Sequence, residues 1–454
     1  MKIKTDSPLP RRLILAAVFL LTAFLASTAQ AETVPGWPQW RGPLGNGTSP
    51  EGKPPTSWSE EENVRFKVEI PGNALASPVI WQDRIFLLTT LATNAEAYAE
   101  SQKKAAEIFN SGEWPPGVAP VKQKFMVLAL STKDGSVVWE QTASEIVPHE
   151  SHYIDSSWAS GSPVTDGERL YAFFGSNGLY TYDLDGKLLW KKDLGKQRTR
   201  NGHGEGSSPA LFGDTLVINW DHEDDSFVIA LDKRTGKELW RTARPGEVTS
   251  WATPLIVEQG GRKQAIVPST GRSRGYDLKD GSEVWSLGGM TGNVIPTPVT
   301  LGNMVYLTSG KRGAILQAVD LAKAQGELEG TPGVAWSHER HTPYVPSVLL
   351  YGEQLYFLKG YKNIFTSLNA KTGEVVYTEK RLEGISTVYA SPVGAGGAVY
   401  IVGRDGAAIV VEHGKEFRVL AKNKLDDNFD ASPAISGDDL YLRGRRYLYA
   451  ISAQ

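Results

Sequence analysis

The stretch Ala230–Trp240, "ALDKRTGKELW", decides the fold, because the chain says it again elsewhere in other words. Its counterparts are "LSTKDGSVVW" (130–139), "TYDLDGKLLW" (181–190), "DLKDGSEVW" (277–285) and "SLNAKTGEVVY" (367–377). In each, a glycine stands four positions before an aromatic residue, where it supplies the positive φ of a hairpin turn. The acid or amide before the glycine caps that turn through the backbone. Asp183 and Asp185 stand at alternate positions, as the ligands of a calcium loop do. The counterparts keep the glycine and the aromatic but change the acids, and the twelfth position holds Leu194 where such a loop needs glutamate. These aspartates shape a turn.

Working outward, a Ser/Thr-Pro-like signature opens each unit, at Pro78, Pro163, Pro209, Pro254, Pro298, Pro346, Pro392 and Pro433. After the first interval the prolines recur about every 41 to 48 residues, the period of four-stranded propeller blades. Eight signatures predict an all-β, eight-bladed β-propeller over residues 63–454. Trp139, Trp190, Trp240, Trp285, Trp336 and Tyr377 then hold one equivalent place in successive blades and read as blade-to-blade packing. Blade eight runs out of chain before its outer strand, so "NVRFKVEI" (63–70), with Phe66 at the aromatic place, is expected to close the ring.

The first residues read as a targeting segment. Lys2, Lys4, Arg11 and Arg12 precede an apolar run, and "AQA" at 29–31 is a small-x-small cleavage site, which predicts a signal peptide over 1–31. Residues 32–62 form an N-terminal extension. No later segment approaches the roughly 20 apolar residues of a membrane span. The chain has no cysteine, which excludes disulfides and a lipid-anchored cysteine, and predicts a periplasmic or secreted protein that is not a lipoprotein. Removing residues 1–31 takes away four basic groups and one acid and moves the formal net charge from -3 to -6. That balance argues against nucleic-acid binding.

Ala230, Asp232, Thr235, Gly236, Lys237 and Trp240 match A-x-D-x-x-T-G-K-x-x-W, and on these residues the chain resembles the tryptophan-docking repeat of PQQ-type propellers. The resemblance runs from "WPQWRGP" (37–43) to the closing "LYLRGRRYLYAI", and is to exported PQQ-binding-like propellers similar to the outer-membrane assembly factor BamB. It implies either a non-catalytic scaffold or a quinoprotein alcohol dehydrogenase, since the same blades serve both. The dehydrogenase branch implies PQQ with calcium, the quinone lying between a tryptophan and a disulfide of adjacent cysteines. This sequence offers no cysteine for that clamp.

In a propeller, the loops between blades and those between second and third strands share the face around the channel mouth. His149, His152, His203, His222, His338 and His341 fall in such loops, and His413 falls on the other face. His203, Glu205, Asp221 and His222 are a candidate metal group by residue type, without the spacing of a known ligand set. Arg272, Arg274, Lys311, Arg312, Lys359, Arg404 and Arg443 fall in the second-to-third strand loops of blades four to eight, against Asp221, Glu223, Asp224 and Asp225 in blade three. Converging on one mouth, the cations would concentrate an anionic ligand such as a tricarboxylate quinone; as ordinary hairpin residues they would do nothing of the kind. Trp158 and Trp251 precede inner strands, where they either stack on a ligand or plug the channel.

Blade one carries an insertion over 91–123, in which "NAEAYAESQKKAAEIF" (94–109) predicts a helix with Tyr98, Ala105 and Phe109 on one face. It should lie on the mouth face, as a lid or a partner surface. No G-x-S-x-G elbow and no G-x-G-x-x-G loop occurs in a suitable context. The sequence thus points to an exported propeller that binds an envelope protein or an anionic small molecule without catalysis. The alternatives are a PQQ-dependent periplasmic oxidoreductase and a carbohydrate-binding propeller.

Overall fold

Each repeat becomes one antiparallel sheet of four strands running outward from the axis, in the computed structural model, which describes residues 36–453. The expected signal peptide and the start of the extension lie outside the described residues. Blade one runs Val79–Trp81, Arg84–Ala92, Gln123–Ser131, Val137–Ile146, and the pattern repeats through eight blades. Blade eight has only Ala434–Ser436, Asp439–Arg443 and Tyr447–Ile451 from the C-terminal end. Its outer strand is Val64–Glu69, with Val68 paired to Leu448, so the ring closes as the sequence predicts.

The repeated motif has a physical reason at every position. In the blade-three turn, Asp232 Oδ1 accepts from the amides of Arg234 (3.1 Å) and Thr235 (2.8 Å) and from the Thr235 hydroxyl (2.7 Å). Gly236 then takes φ +68°, and Asp183 caps its own turn in the same way. The register slips by one residue beside each docking aromatic, a bulge that re-aims the side chain. A small residue faces it across the ladder, Ala129 opposite Trp139 and Ala230 opposite Trp240. The ring swings onto the glycine of the next blade. A Cβ on Gly236 would lie 2.6 Å from Trp190, and one on Gly186 2.8 Å from Trp139. The indoles donate to Leu184 O (2.8 Å), Lys233 O (3.2 Å) and Leu278 O (2.8 Å). Phe66 rests on Gly135, Trp336 on Gly373, and Tyr377 meets Phe417 of blade seven at 5.7 Å.

Trp285 departs from this scheme. It is fully buried, lies over Gly275 of its own blade and donates to Gln264 Oε1 at 2.9 Å. The blade-five turn that should receive it is longer, and its Gly326–Glu327 strand pairs in parallel with Trp285–Ser286. Blade seven has Ala421 at the aromatic place, and Trp58 of the extension fills the gap by stacking on Tyr400 at 6.3 Å.

The Ser/Thr-Pro signature builds a second ring around the axis. The amide of Ser77 donates to Ser162 Oγ (2.9 Å), Ser162 to Ser208 (2.9 Å), and Ser208 to Thr253 (3.0 Å). Thr297 donates to Ser347 (2.9 Å), Ser347 to Ser391 (2.9 Å), Ser391 to Ser432 (2.8 Å), and Ser432 back to Ser77 (3.0 Å). Seven of the eight amides thus find an acceptor in the neighbouring blade, which ties adjacent inner strands together, and at the eighth place the Thr297 hydroxyl accepts from Trp40.

The extension crosses the channel at the end opposite the loops. Gly36–Trp37 adds to the inner edge of blade one. The Arg41 guanidinium, wholly buried, donates to Val348 O and Pro392 O at 3.0 Å each. Burial lowers its pKa to about 9. Next to it, Trp40 donates its indole to Thr297 Oγ1 at 2.8 Å. The insertion forms the helix Ala95–Ser111, capped by Asn94 Oδ1 and ended by Gly112 at φ +81°. Ala105 is buried and Tyr98 packs inward, but Phe109 is 50% exposed, so the expected face is narrower by one turn. Among the described residues no helix is long and apolar enough to cross a membrane.

Candidate functional site

The inter-blade loops enclose a well of about 750 Å³ on the axis. Its frame comes from the ring just described. The residue two positions before each ring hydroxyl lines the well in all eight blades: Leu75, Ser160, Gly206, Trp251, Ile295, Val345, Tyr389 and Asp430. The hydroxyls of Ser162, Ser208, Thr253, Thr297, Ser347, Ser391 and Ser432 encircle its depth, and Trp40 lies among them. The well is therefore plugged from below by the extension, and not by Trp158 or Trp251.

Two aromatic walls rise above that ring. One is Trp114, Tyr153, His203 and Trp251, with ring centroids 5.5 Å apart for Trp114–Tyr153, 5.1 Å for Tyr153–His203 and 6.2 Å for His203–Trp251. The other is Tyr344, Tyr361 and Tyr389, at 6.1 and 5.8 Å. Trp114 comes from the insertion and is 58% exposed, which puts this part of the insertion at the rim, on the mouth face. Trp251 is held by an indole bond to Gly204 O (2.7 Å), and His203 Nε2 is buried with no protein partner. Burial, with Lys311 and Arg200 nearby, lowers the His203 pKa, so the imidazole is neutral. Glu205 lines the well with its carboxylate accepting from the Ser176 amide (2.7 Å), and burial raises its pKa to about 7.

The expected ligand groups separate. His203, Glu205 and Trp251 do line the well. Asp221 does not: it is wholly buried in a bidentate pair with Arg244, at 2.7 and 3.0 Å, and Arg244 also reaches the Tyr276 hydroxyl at 2.5 Å. His222 is buried beside it, with Nδ1 accepting from the Arg198 amide and Nε2 against Asp225 O, both at 3.2 Å. Trp158 turns away from the well to donate to Glu150 O (2.9 Å) and to meet His152 edge-on at 4.4 Å, which anchors the insertion helix through Tyr98. Among the described residues no group of three or more His, Cys, Asp or Glu is placed to hold a metal, so the four-residue metal group does not form.

The cation ring contracts in the same way. Arg274 is bound by Glu247 and Glu283, and Arg404 bridges Asp155 (2.7 Å) and Asp430 (2.5 Å). Arg443 is buried inside blade eight, where burial lowers its pKa to about 10. Lys359 is exposed outside the well. Arg272 is held by Glu327 (2.8 Å) and Glu329 (2.9 Å), so of the seven only Lys311 and Arg312 line the well, joined by Arg200 of the blade two-to-three loop. Among the described residues Lys311 and Arg312 form no ion pair, and Lys311 Nζ sits 4.9 Å above the Tyr344 ring. Sequence reading missed Arg200, Tyr153, Tyr344, Tyr361, Tyr389, Trp114 and Trp40. The place two residues before each signature hydroxyl would have found Tyr389, but Trp114 and Trp40 sit in segments without a repeat.

A family profile described as "Outer membrane protein assembly factor BamB" matches residues 123–293 and 288–454. The chain belongs to that family. No curated protein sequence matches it. The crystal structure of BamB from Moraxella catarrhalis superposes with a TM-score of 0.54 at 15% identity, over 73% of this chain and 95% of that one. A europium-containing methanol dehydrogenase gives 0.56 at 11% identity, over 90% and 89%. A quinohemoprotein alcohol dehydrogenase from Pseudomonas putida HK5 gives 0.56 at 9%, over 92% and 81%. At such identities the likeness is one of fold. Within this BamB family member, Arg200, Lys311 and Arg312 suit the carboxylates of a bound quinone. The accompanying calcium does not fit: of the three acids lining the well, Asp155 and Asp430 are held by Arg404 and Arg445, and Glu205 is buried on the Ser176 amide with its pKa raised to about 7, so no group of carboxylates is free to ligate it.

Proposed function

We propose that this member of the BamB family is an exported, non-catalytic binding propeller that takes an anionic group of a ligand or envelope partner into its loop-face well. The observation that carries the reading is the well itself. It is closed below by Trp40, walled by aromatic rings, and edged by two cations, Lys311 and Arg312, that no protein acid neutralises. Its volume lies in the range of about 300–1,000 Å³ typical of ligand pockets. Cations at the mouth of a low-dielectric well attract anions over a distance set by the ionic strength.

The dehydrogenase reading asks for a metal held beside the quinone, whereas Asp155 and Asp430 are committed to arginines and Glu205 to the Ser176 amide. The test is to add PQQ with calcium to the purified protein and follow dye reduction. The proposal expects no turnover, and it expects PQQ used as a tricarboxylate probe to bind more weakly to a Lys311→Ala/Arg312→Ala variant. Sustained dye reduction would overturn it.

A further inference from the structure

We infer that the ligand class of this well is an acidic oligosaccharide, its sugar rings laid on the two aromatic walls and its carboxylate met by Lys311 and Arg312. The inference rests on the binding reading above and narrows it. Three observations converge. Within each wall most neighbouring rings are tilted against one another, with only His203 and Trp251 near parallel at 28°. Trp114 is tilted 46° from Tyr153 and 83° from His203, Tyr153 is 57° from His203, Tyr344 is 53° from Tyr361, and Tyr361 is 72° from Tyr389. Rings tilted within a wall offer a flat conjugated ligand no broad single plane, whereas a saccharide presents C–H faces at several inclinations and lies against tilted rings one at a time.

Polar groups accompany the walls: His203 Nε2 is buried without a protein partner, and Asn201 and Asn293 line the well. An apolar or purely aromatic ligand would leave that nitrogen unsatisfied, at a cost a hydroxyl removes. Of the acids lining the well, Asp155 and Asp430 are neutralised by Arg404 and Arg445 and Glu205 is buried with its pKa raised to about 7, while Lys311 and Arg312 have no ion pair among the described residues, so the balance of the open surface is cationic. An unpaired arginine and lysine side by side fit a carboxylate.

The experiment is a titration followed by tryptophan fluorescence and calorimetry, with trigalacturonate, trimannuronate and sialyllactose as acidic probes. Maltotriose serves as the neutral probe and hexaglutamate as the acidic non-sugar. The expected result is saturable binding of at least one acidic saccharide, weakened roughly 10-fold for the neutral one and weakened further as salt rises. Trp114→Ala and Lys311→Ala/Arg312→Ala should each cost roughly 10-fold in affinity, on the scale of one stacked ring or one screened charge, with the thermal midpoint unchanged. Equal binding of maltotriose, equal binding of hexaglutamate, or no binding of any saccharide would overturn the inference. Binding of PQQ or hexaglutamate without saccharide binding would leave the binding reading standing, whereas dye reduction with PQQ and calcium would remove that reading too.

Discussion

The outer turns and the axial loops share one eight-fold frame and use it in opposite ways. At the outer turns the residues repeat: an acid or amide caps the turn, a glycine takes positive φ, and an aromatic ring lands on the next blade's glycine. Around the axis the backbone repeats, through the ring of serine and threonine hydroxyls, but the side chains two positions earlier are leucine, serine, glycine, tryptophan, isoleucine, valine, tyrosine and aspartate. Constancy serves packing, since every blade must meet a like neighbour. Variety serves recognition, since eight different groups pointing into one well give it a face of its own.

The comparison can be broken from the packing side first, where the largest effects lie. Trp240→Ala removes a buried ring and its bond to Leu278 O, and is expected to cost roughly 3–5 kcal/mol in chemical denaturation. Gly236→Ala meets both a positive φ and the Trp190 ring. It should cost more than about 1 kcal/mol, and clearly more than Gly246→Ala, where φ is +80° but nothing lies within 4 Å. A similar loss at both glycines would show that the indole contact is incidental. Ser391→Ala takes one link out of the hydroxyl ring, with an expected cost of about 0.5–1.5 kcal/mol, seen as a lower denaturation midpoint.

The well side responds to pH. The Glu205 carboxyl is held at about 7 against an ordinary 4.5, so the folded chain binds a proton that the unfolded chain releases between those values. Its contribution to stability is full below the ordinary carboxylate range and is lost as pH rises through about 7. Glu205→Gln removes that loss, so the melting temperature of the variant relative to the wild type should climb from about pH 5 to about pH 8. A difference that stays flat over this range would mean the carboxylate is better solvated than its burial implies.

The fold was legible in the sequence because packing repeats and repetition can be counted. The turn motif, the blade period and the closing role of Val64–Glu69 follow from it, while the helix in blade one was legible from its own apolar spacing. Trp285 shows where counting ends. Its place in the repeat is correct, but a longer turn in blade five redirects it onto Gly275 and Gln264. The site was legible only in part. Loop position singled out His203, Glu205, Trp251 and Arg312, which line the well, yet it could not tell a cation facing the well from one bound by an acid in an adjacent loop, as Arg274 and Arg404 are. Asp221 and Arg244 lie 23 residues apart, and nothing local announces their pairing. Trp40 was hidden for another reason: it belongs to an extension that reaches the axis from the opposite end.

The central claim is that the loop-face well, with Lys311 and Arg312 at its edge, is where this propeller binds. The most direct measurement is calorimetric titration of the wild type and of Lys311→Ala/Arg312→Ala with one anionic probe, alongside their thermal midpoints. The account predicts one site per chain in the wild type, markedly weakened in the variant, with melting unchanged because neither cation holds the fold together. Equal affinity in both proteins would contradict it.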